Sequence, residues 1–182
     1  DFDQLLSSIH QRGMKLILDL VVNHTSDEHP WFIESKSSKA SAKRNWYIWA
    51  DPKPDGSEPN NWESIFNGST WEFDESTKQY YFHLFSKKQP DLNWENPDVR
   101  QAVFDMMNWW FEKGIDGFRV DAITHIKKNF EAGDLPIPDG KKFAPAFDVD
   151  MNQPGIQEWL QEMKDKSLSR YDIMTVGEAN GV

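Results

Sequence analysis

The sequence predicts an α/β protein in which parallel strands are interrupted by a small inserted subdomain. Three near-continuous, branched apolar runs, "MKLILDLVV" (14–22), "IDGFRVDAI" (115–123) and "YDIMTVGEA" (171–179), have the character of parallel strands covered on both faces. Each follows a segment of helical periodicity, as a βαβ arrangement requires. About 70 residues separate the first run from the next helix, where such connections normally need only a few, so that stretch must fold as a unit of its own.

In order, Phe2, Leu5, Leu6 and Ile9 are spaced as one helical face, and Gly13 stands where a helix over 2–12 would end. After the first strand the insertion is rich in Trp and punctuated by Pro and Gly at "DPKPDGSEPNN". In it, "STWEF" and "QYYFHLF" flank Asp74–Lys78 as a hairpin. A second helix over 97–113 has Pro97 in its first turn, Val99, Val103, Met106, Met107 and Trp110 as its stripe, and Gly114 at its end. The second strand follows, then a Gly/Pro loop over 133–145, a third helix over 154–168 and the third strand.

The 182 residues are 38% hydrophobic and 27% charged, the balance of a soluble globular protein, and no apolar run approaches the roughly 20 residues of a membrane span. A net charge of −10 with only short basic pairs such as Lys127-Lys128 excludes nucleic acid as a partner and suits a neutral or cationic ligand. The absence of cysteine removes disulfides and thiolate metal sites, and leans towards a cytoplasmic protein. The chain opens on Asp1 inside a helical pattern, reads as a piece of a longer protein, and so carries no information about a leader sequence.

Each strand ends in a carboxylate: Asp19 in "LILDL", Asp121 in "GFRVD", Glu178 in "MTVGE". The C-terminal edge of a parallel sheet is where α/β proteins bind ligands, and unpaired buried carboxylates are costly. Arg119 and Asp121 fall on one face of their strand, and an arginine beside an aspartate holds it ionised, the state a nucleophile needs. If Glu178 lies on the next strand without a cation of its own, it keeps a proton to donate. One ionised and one protonated carboxyl about 5 Å apart are the pair for retaining glycoside hydrolysis. Two other readings fit the same residues. Arg119 and Asp121 can be a buried ion pair and His24 a satisfied buried histidine. Alternatively Asp19, His24, Asp121 and Glu178 can ligate a metal, which Arg119 among them would oppose.

The motifs "DLVVNH" (19–24), "QPDLN" (89–93), "GFRVDAITH" (117–125) and "VGEANGV" (176–182) resemble, in order, those of glycoside hydrolase family 13, and within it the oligo-1,6-glucosidase and α-glucosidase branch. The resemblance implies a partial (β/α)8 TIM barrel, strands three to five, with domain B inserted after strand three. Residues 1–26 and 95–182 would then belong to the barrel and 27–94 to domain B. It implies Asp121 as nucleophile, Glu178 as general acid/base and Arg119 as the cation orienting Asp121. His24 would hydrogen-bond the sugar in subsite −1, Asp19 would support it, and Phe85 would close over that sugar. Its hairpin-core role is the competing reading.

Ala122, the residue after the nucleophile, implies a preference for α-1,4 over α-1,6 bonds, and His125 is a candidate contact for the next sugar or a helix-entry histidine without a ligand. The expected partner is a small oligosaccharide. No cofactor is expected in these residues, while a structural calcium site and the family's third catalytic acid would lie outside them, so the piece alone should be inactive. Sucrose isomerases, trehalose-6-phosphate hydrolases and the non-catalytic heavy chain of amino-acid transporters share the resemblance. The intact acid pair argues against the heavy chain.

Overall fold

The computed structural model describes residues 1–179; Asn180, Gly181 and Val182, the end of the "VGEANGV" motif, lie outside the described residues. The chain opens with α1 (Phe2–Gln11), started by a reciprocal cap in which the Asp1 carboxylate accepts from the Gln4 N–H at 3.1 Å. Gly13, at φ +69°, turns the chain out of the helix while its N–H donates to the His10 carbonyl at 2.9 Å. Strand β1 (Ile17–Val21) follows, then α2 (Pro30–Ser37) and the short strands β2 (Trp49–Ala50) and β3 (Trp62–Glu63). The hairpin strands are β4 (Trp71–Asp74) and β5 (Gln79–Phe82). Next come α3 (Pro97–Glu112), β6 (Gly117–Asp121), β7 (Ala144–Pro145), α4 (Phe147–Asp150), α5 (Ile156–Lys166) and β8 (Met174–Gly177).

Strands β1, β6 and β8 form one parallel sheet in that order, with Asp19 opposite Arg119 and Arg119 opposite Val176. The neighbours in sequence are the neighbours in space. Gly117 sets the spacing at its base: its φ is +155°, and a Cβ there would run into the Met174 carbonyl, so only glycine fits. On one face Leu20, Val22, Phe118 and Val120 pack against Val103, Phe104, Met107 and Phe111 of α3 and Ile156, Trp159 and Met163 of α5. The other face differs from the expectation of two covered faces. There Ile17, Val21, Met174 and Val176 are 38–56% exposed beside Asp19 and Arg119, because no described element packs on that side.

In the insertion, β2, β5 and β4 form an antiparallel sheet, and the β4–β5 hairpin closes around buried Asp74, which accepts from the Thr77 N–H at 2.9 Å. A second core joins Trp62, Trp71, Phe82 and Leu84 to Ala146 and Val149 from beyond β6, and Phe130 stacks on Trp62 at 5.2 Å. The stretch read as a loop over 133–145 therefore ends in a strand, β7, which pairs with β3 in parallel. A two-residue Ala-Pro strand carries no period to betray it.

Candidate active site

Register brings the predicted residues together. Arg119 stands between Asp19 and the end of β8, and Asp121 lies two residues further along the same face. Glu178 follows β8, its N–H bonded to the Val120 carbonyl at 2.9 Å. Arg119 donates through Nη1 to Asp19 Oδ1 at 2.8 Å and to Asp121 Oδ1 at 2.5 Å, while its Nη2 is 3.1 Å from Glu178 Oε2. The hydrogen bonds it donates to Asp19 and then to Asp121 raise the guanidinium pKa above its ordinary value, so Arg119 is a permanent cation. Where the metal reading required an ion, the structure has a guanidinium, and among the described residues no group of three acids or histidines is arranged to hold one.

The sequence argument left Glu178 without a cation; the structure corrects this, since the same guanidinium serves all three carboxylates. What separates the two acids is their surroundings. Asp121 is 24% exposed against 40% for Glu178, and Glu178 alone accepts the Ala122 N–H, at 3.2 Å. Ala122 presents that amide from a left-handed conformation, φ +48° and ψ 30°, which ends the strand sharply.

His24 is 7% exposed, and burial pushes its pKa below the ordinary histidine value. Its ring lies 5.2 Å from Phe85, and Phe85 lies 6.0 Å from His125 and 5.9 Å from Phe66. Phe85 is partly buried and packs against the edge of the second core. His125 sits behind it, 2% exposed, with Nδ1 3.2 Å from the Asp150 carbonyl and 3.3 Å from its carboxylate. That places His125 as a support for Phe85 instead of an open sugar contact.

Sequence reasoning missed three contributors. The Gln89 amide is 2.9 Å from His24 Nε2 and orients that ring. Phe66, 62% exposed, extends the aromatic surface beyond Phe85. The third is a buried network. Lys128 Nζ lies 2.6 Å from Asp91 Oδ2 and donates to Asn23 Oδ1 at 2.8 Å, and Asn23 donates back to Asp91 at 2.9 Å. The Leu84 N–H fills the other Asp91 oxygen at 2.9 Å. Asp91 and the Lys128 side chain are 0% and 2% exposed, so the ammonium joins the insertion, the end of β1 and the chain after β6 directly behind His24. The "QPDLN" motif could have pointed to Asp91, but nothing in the pair Lys127-Lys128 distinguishes the buried lysine.

Parallel strands that deliver carboxylates and a shared arginine to one C-terminal edge, beside an aromatic wall, define an α/β protein with an acid-based polar site. The chain belongs to the alpha-amylase family: all of it, residues 1–182, matches the family described as "Alpha amylase, catalytic domain". It is 66% identical over its whole length to the probable oligo-1,6-glucosidase 3 of Bacillus subtilis (strain 168), of which it covers 33%. Among solved structures it is similar to the trehalose-6-phosphate hydrolase of Bacillus licheniformis, with a TM-score of 0.91 and 49% identity, over all of this chain and 32% of that one. It is also similar to the isomaltulose synthase SmuA of Protaminobacter rubrum, with a TM-score of 0.90, 45% identity and the same coverage. The chain thus spans about a third of the length of the relatives it matches.

Proposed function

We propose that the full-length protein containing this chain is a retaining α-glucosidase acting on terminal α-glucosidic bonds of short oligosaccharides. The observation that carries this is the single guanidinium bridging Asp121 and Glu178 at adjoining strand ends, beside the His24–Phe85 wall. Asp121, held by Arg119, attacks the anomeric carbon; Glu178 protonates the leaving oxygen and then deprotonates the water that releases glucose. His24, oriented by Gln89, hydrogen-bonds the sugar under attack, and Phe85 covers its apolar face. The similarity to an oligo-1,6-glucosidase supports this class of substrate. In this reading β1, β6 and β8 are barrel strands three, four and five, and 27–94 is domain B.

Two finer points belong to the same reading. The B. subtilis relative's name points to α-1,6 bonds, whereas Ala122 points to α-1,4, so linkage is decided by competition between isomaltose and maltose on the full-length enzyme. Likeness to an isomaltulose synthase and a trehalose-6-phosphate hydrolase raises transfer and phosphorylated substrates as the second reading, which product analysis with sucrose and trehalose 6-phosphate separates. The decisive test is to trap the glycosyl-enzyme with a slow fluorosugar and map it: the label is expected on Asp121, and a label elsewhere overturns the assignment.

A further inference from the structure

At the seam between the insertion and the chain after β6, a cavity of about 210 Å³ is walled by β3 with the turn that follows it, by Lys141, and by β7 with α4. Neither the Arg119 cluster nor His24, Phe85 or His125 lines it. Asp150, the last residue of α4, stands in its wall and is 1% exposed.

That carboxylate lacks a donor, since its Oδ1 is buried and has no hydrogen-bond partner. The nearest candidate is the His125 ring. Its Nδ1 hydrogen goes to the Asp150 main-chain carbonyl 3.2 Å away, which leaves the carboxylate oxygen, 3.3 Å from the same nitrogen, unbonded. The charges in the wall do not supply a partner either. Among the residues that line the cavity the only cation is Lys141, and its Nζ is already engaged by Glu63 Oε2 at 2.7 Å. Glu63 and Lys141 cancel, so the negative charge of Asp150 remains, and a buried carboxylate with neither cation nor donor is costly.

The same wall narrows the kind of cation. No group of three acids or histidines is arranged to hold a metal among the described residues, so a multiply ligated ion has no cage here. What Asp150 lacks is an N–H donor that carries positive charge. Ile65 and Phe147, 36% and 52% exposed, give the cavity an apolar side, and its volume, below that of drug-sized sites, admits only a few heavy atoms. The fit is to an ammonium on a short apolar stem.

We propose that this cavity binds a small primary amine in its ammonium form, with Asp150 as its counter-ion. The contact is a charge-assisted hydrogen bond to the carboxylate, with no covalent step. It stands on the unmatched charge and the cavity, and does not depend on the glucosidase reading.

The test uses the full-length protein with propylammonium as the probe. The controls are potassium and tetramethylammonium, which carry the same charge but no N–H. Saturation-transfer NMR and calorimetry should show saturable, millimolar binding of propylammonium alone. Asp150→Asn, which keeps the shape and removes the unmatched charge, should weaken it about tenfold or more without lowering the melting temperature. Phe147→Ala, at an exposed position, should weaken it severalfold and keeps the test sound if Asp150→Asn misfolds. Absence of saturable binding overturns the proposal, as does binding that neither substitution alters, the result expected of an amine held at Asp121 and Glu178. Equal binding of tetramethylammonium or potassium overturns it too, because neither donates a hydrogen bond. So does a His125 ring that NMR shows to be an imidazolium at neutral pH in the free protein, since Asp150 would then have its counter-ion within the fold.

Discussion

At the residue scale, the site depends on the shape of one guanidinium. Arg119 reaches Asp19 and Asp121 through one nitrogen and Glu178 through another, a fork that a single ammonium cannot reproduce. In the full-length enzyme, Arg119→Lys should therefore lower kcat/KM by on the order of a hundredfold, with only a few degrees' change in melting temperature. Steady-state kinetics beside a thermal melt checks both halves. Ala122 makes a different demand. Its left-handed backbone tolerates alanine but strains a β-branched side chain, so Ala122→Val should cost about 1 kcal/mol of stability while raising the ratio of isomaltose to maltose hydrolysis. An unchanged ratio would remove the linkage argument built on this position. These residues were legible because strand alternation alone places Arg119 and Asp121 on one face. The sharing of Arg119 with Glu178 was not, because it depends on the register of β8, which no local pattern specifies.

At the element scale, two polar nodes, one near the surface and one buried, hold the elements that carry the site. Asp116 ties the end of α1 and the start of β1 to β6, meeting His10 Nε2, Lys15 Nζ and the Leu16 N–H, each at 2.8 Å. Burial pushes its pKa up, but Lys15, the Leu16 amide and His10 outweigh that and hold it at about 2. A depressed carboxylate pKa contributes stability that is present above about pH 4 and lost as pH falls towards 2. The urea midpoint of Asp116→Asn should accordingly lie below that of the parent at pH 6, with the gap narrowing between pH 4 and pH 3. The second node is the Lys128–Asp91 pair. Lys128→Met leaves a fully buried carboxylate with no cation, a loss of about 3–5 kcal/mol, and adding Asp91→Asn should recover part of it. Denaturation of both variants measures this; equal stability would place the worth of Lys128 in packing alone. The helices and hairpin were readable from periodicity and caps. Both nodes were invisible because each joins residues that lie far apart in the chain.

At the scale of the whole molecule, the covered and open faces of the β1–β6–β8 sheet are of unequal kind. One is sealed by α3 and α5; the other presents Ile17 at 38%, Val21 at 40%, Val176 at 47% and Met174 at 56% exposure around a set of charges. Apolar strand positions are exposed in this way only at a cost, and the outer edges of β1 and β8 pair with nothing among the described residues. The relatives are about three times as long as this chain, and the alternating apolar and charged residues on the open face are what a closed barrel would place inside. Residues 1–182 expressed alone should therefore show helical far-ultraviolet signal without a sharp cooperative melt, bind a hydrophobic dye, and fail to hydrolyse p-nitrophenyl α-glucoside. The full-length protein should melt cooperatively and turn it over. A cooperative transition together with hydrolysis by the isolated piece would show that the open face needs no cover and that the acids it carries, Asp121 and Glu178, are sufficient for the chemistry.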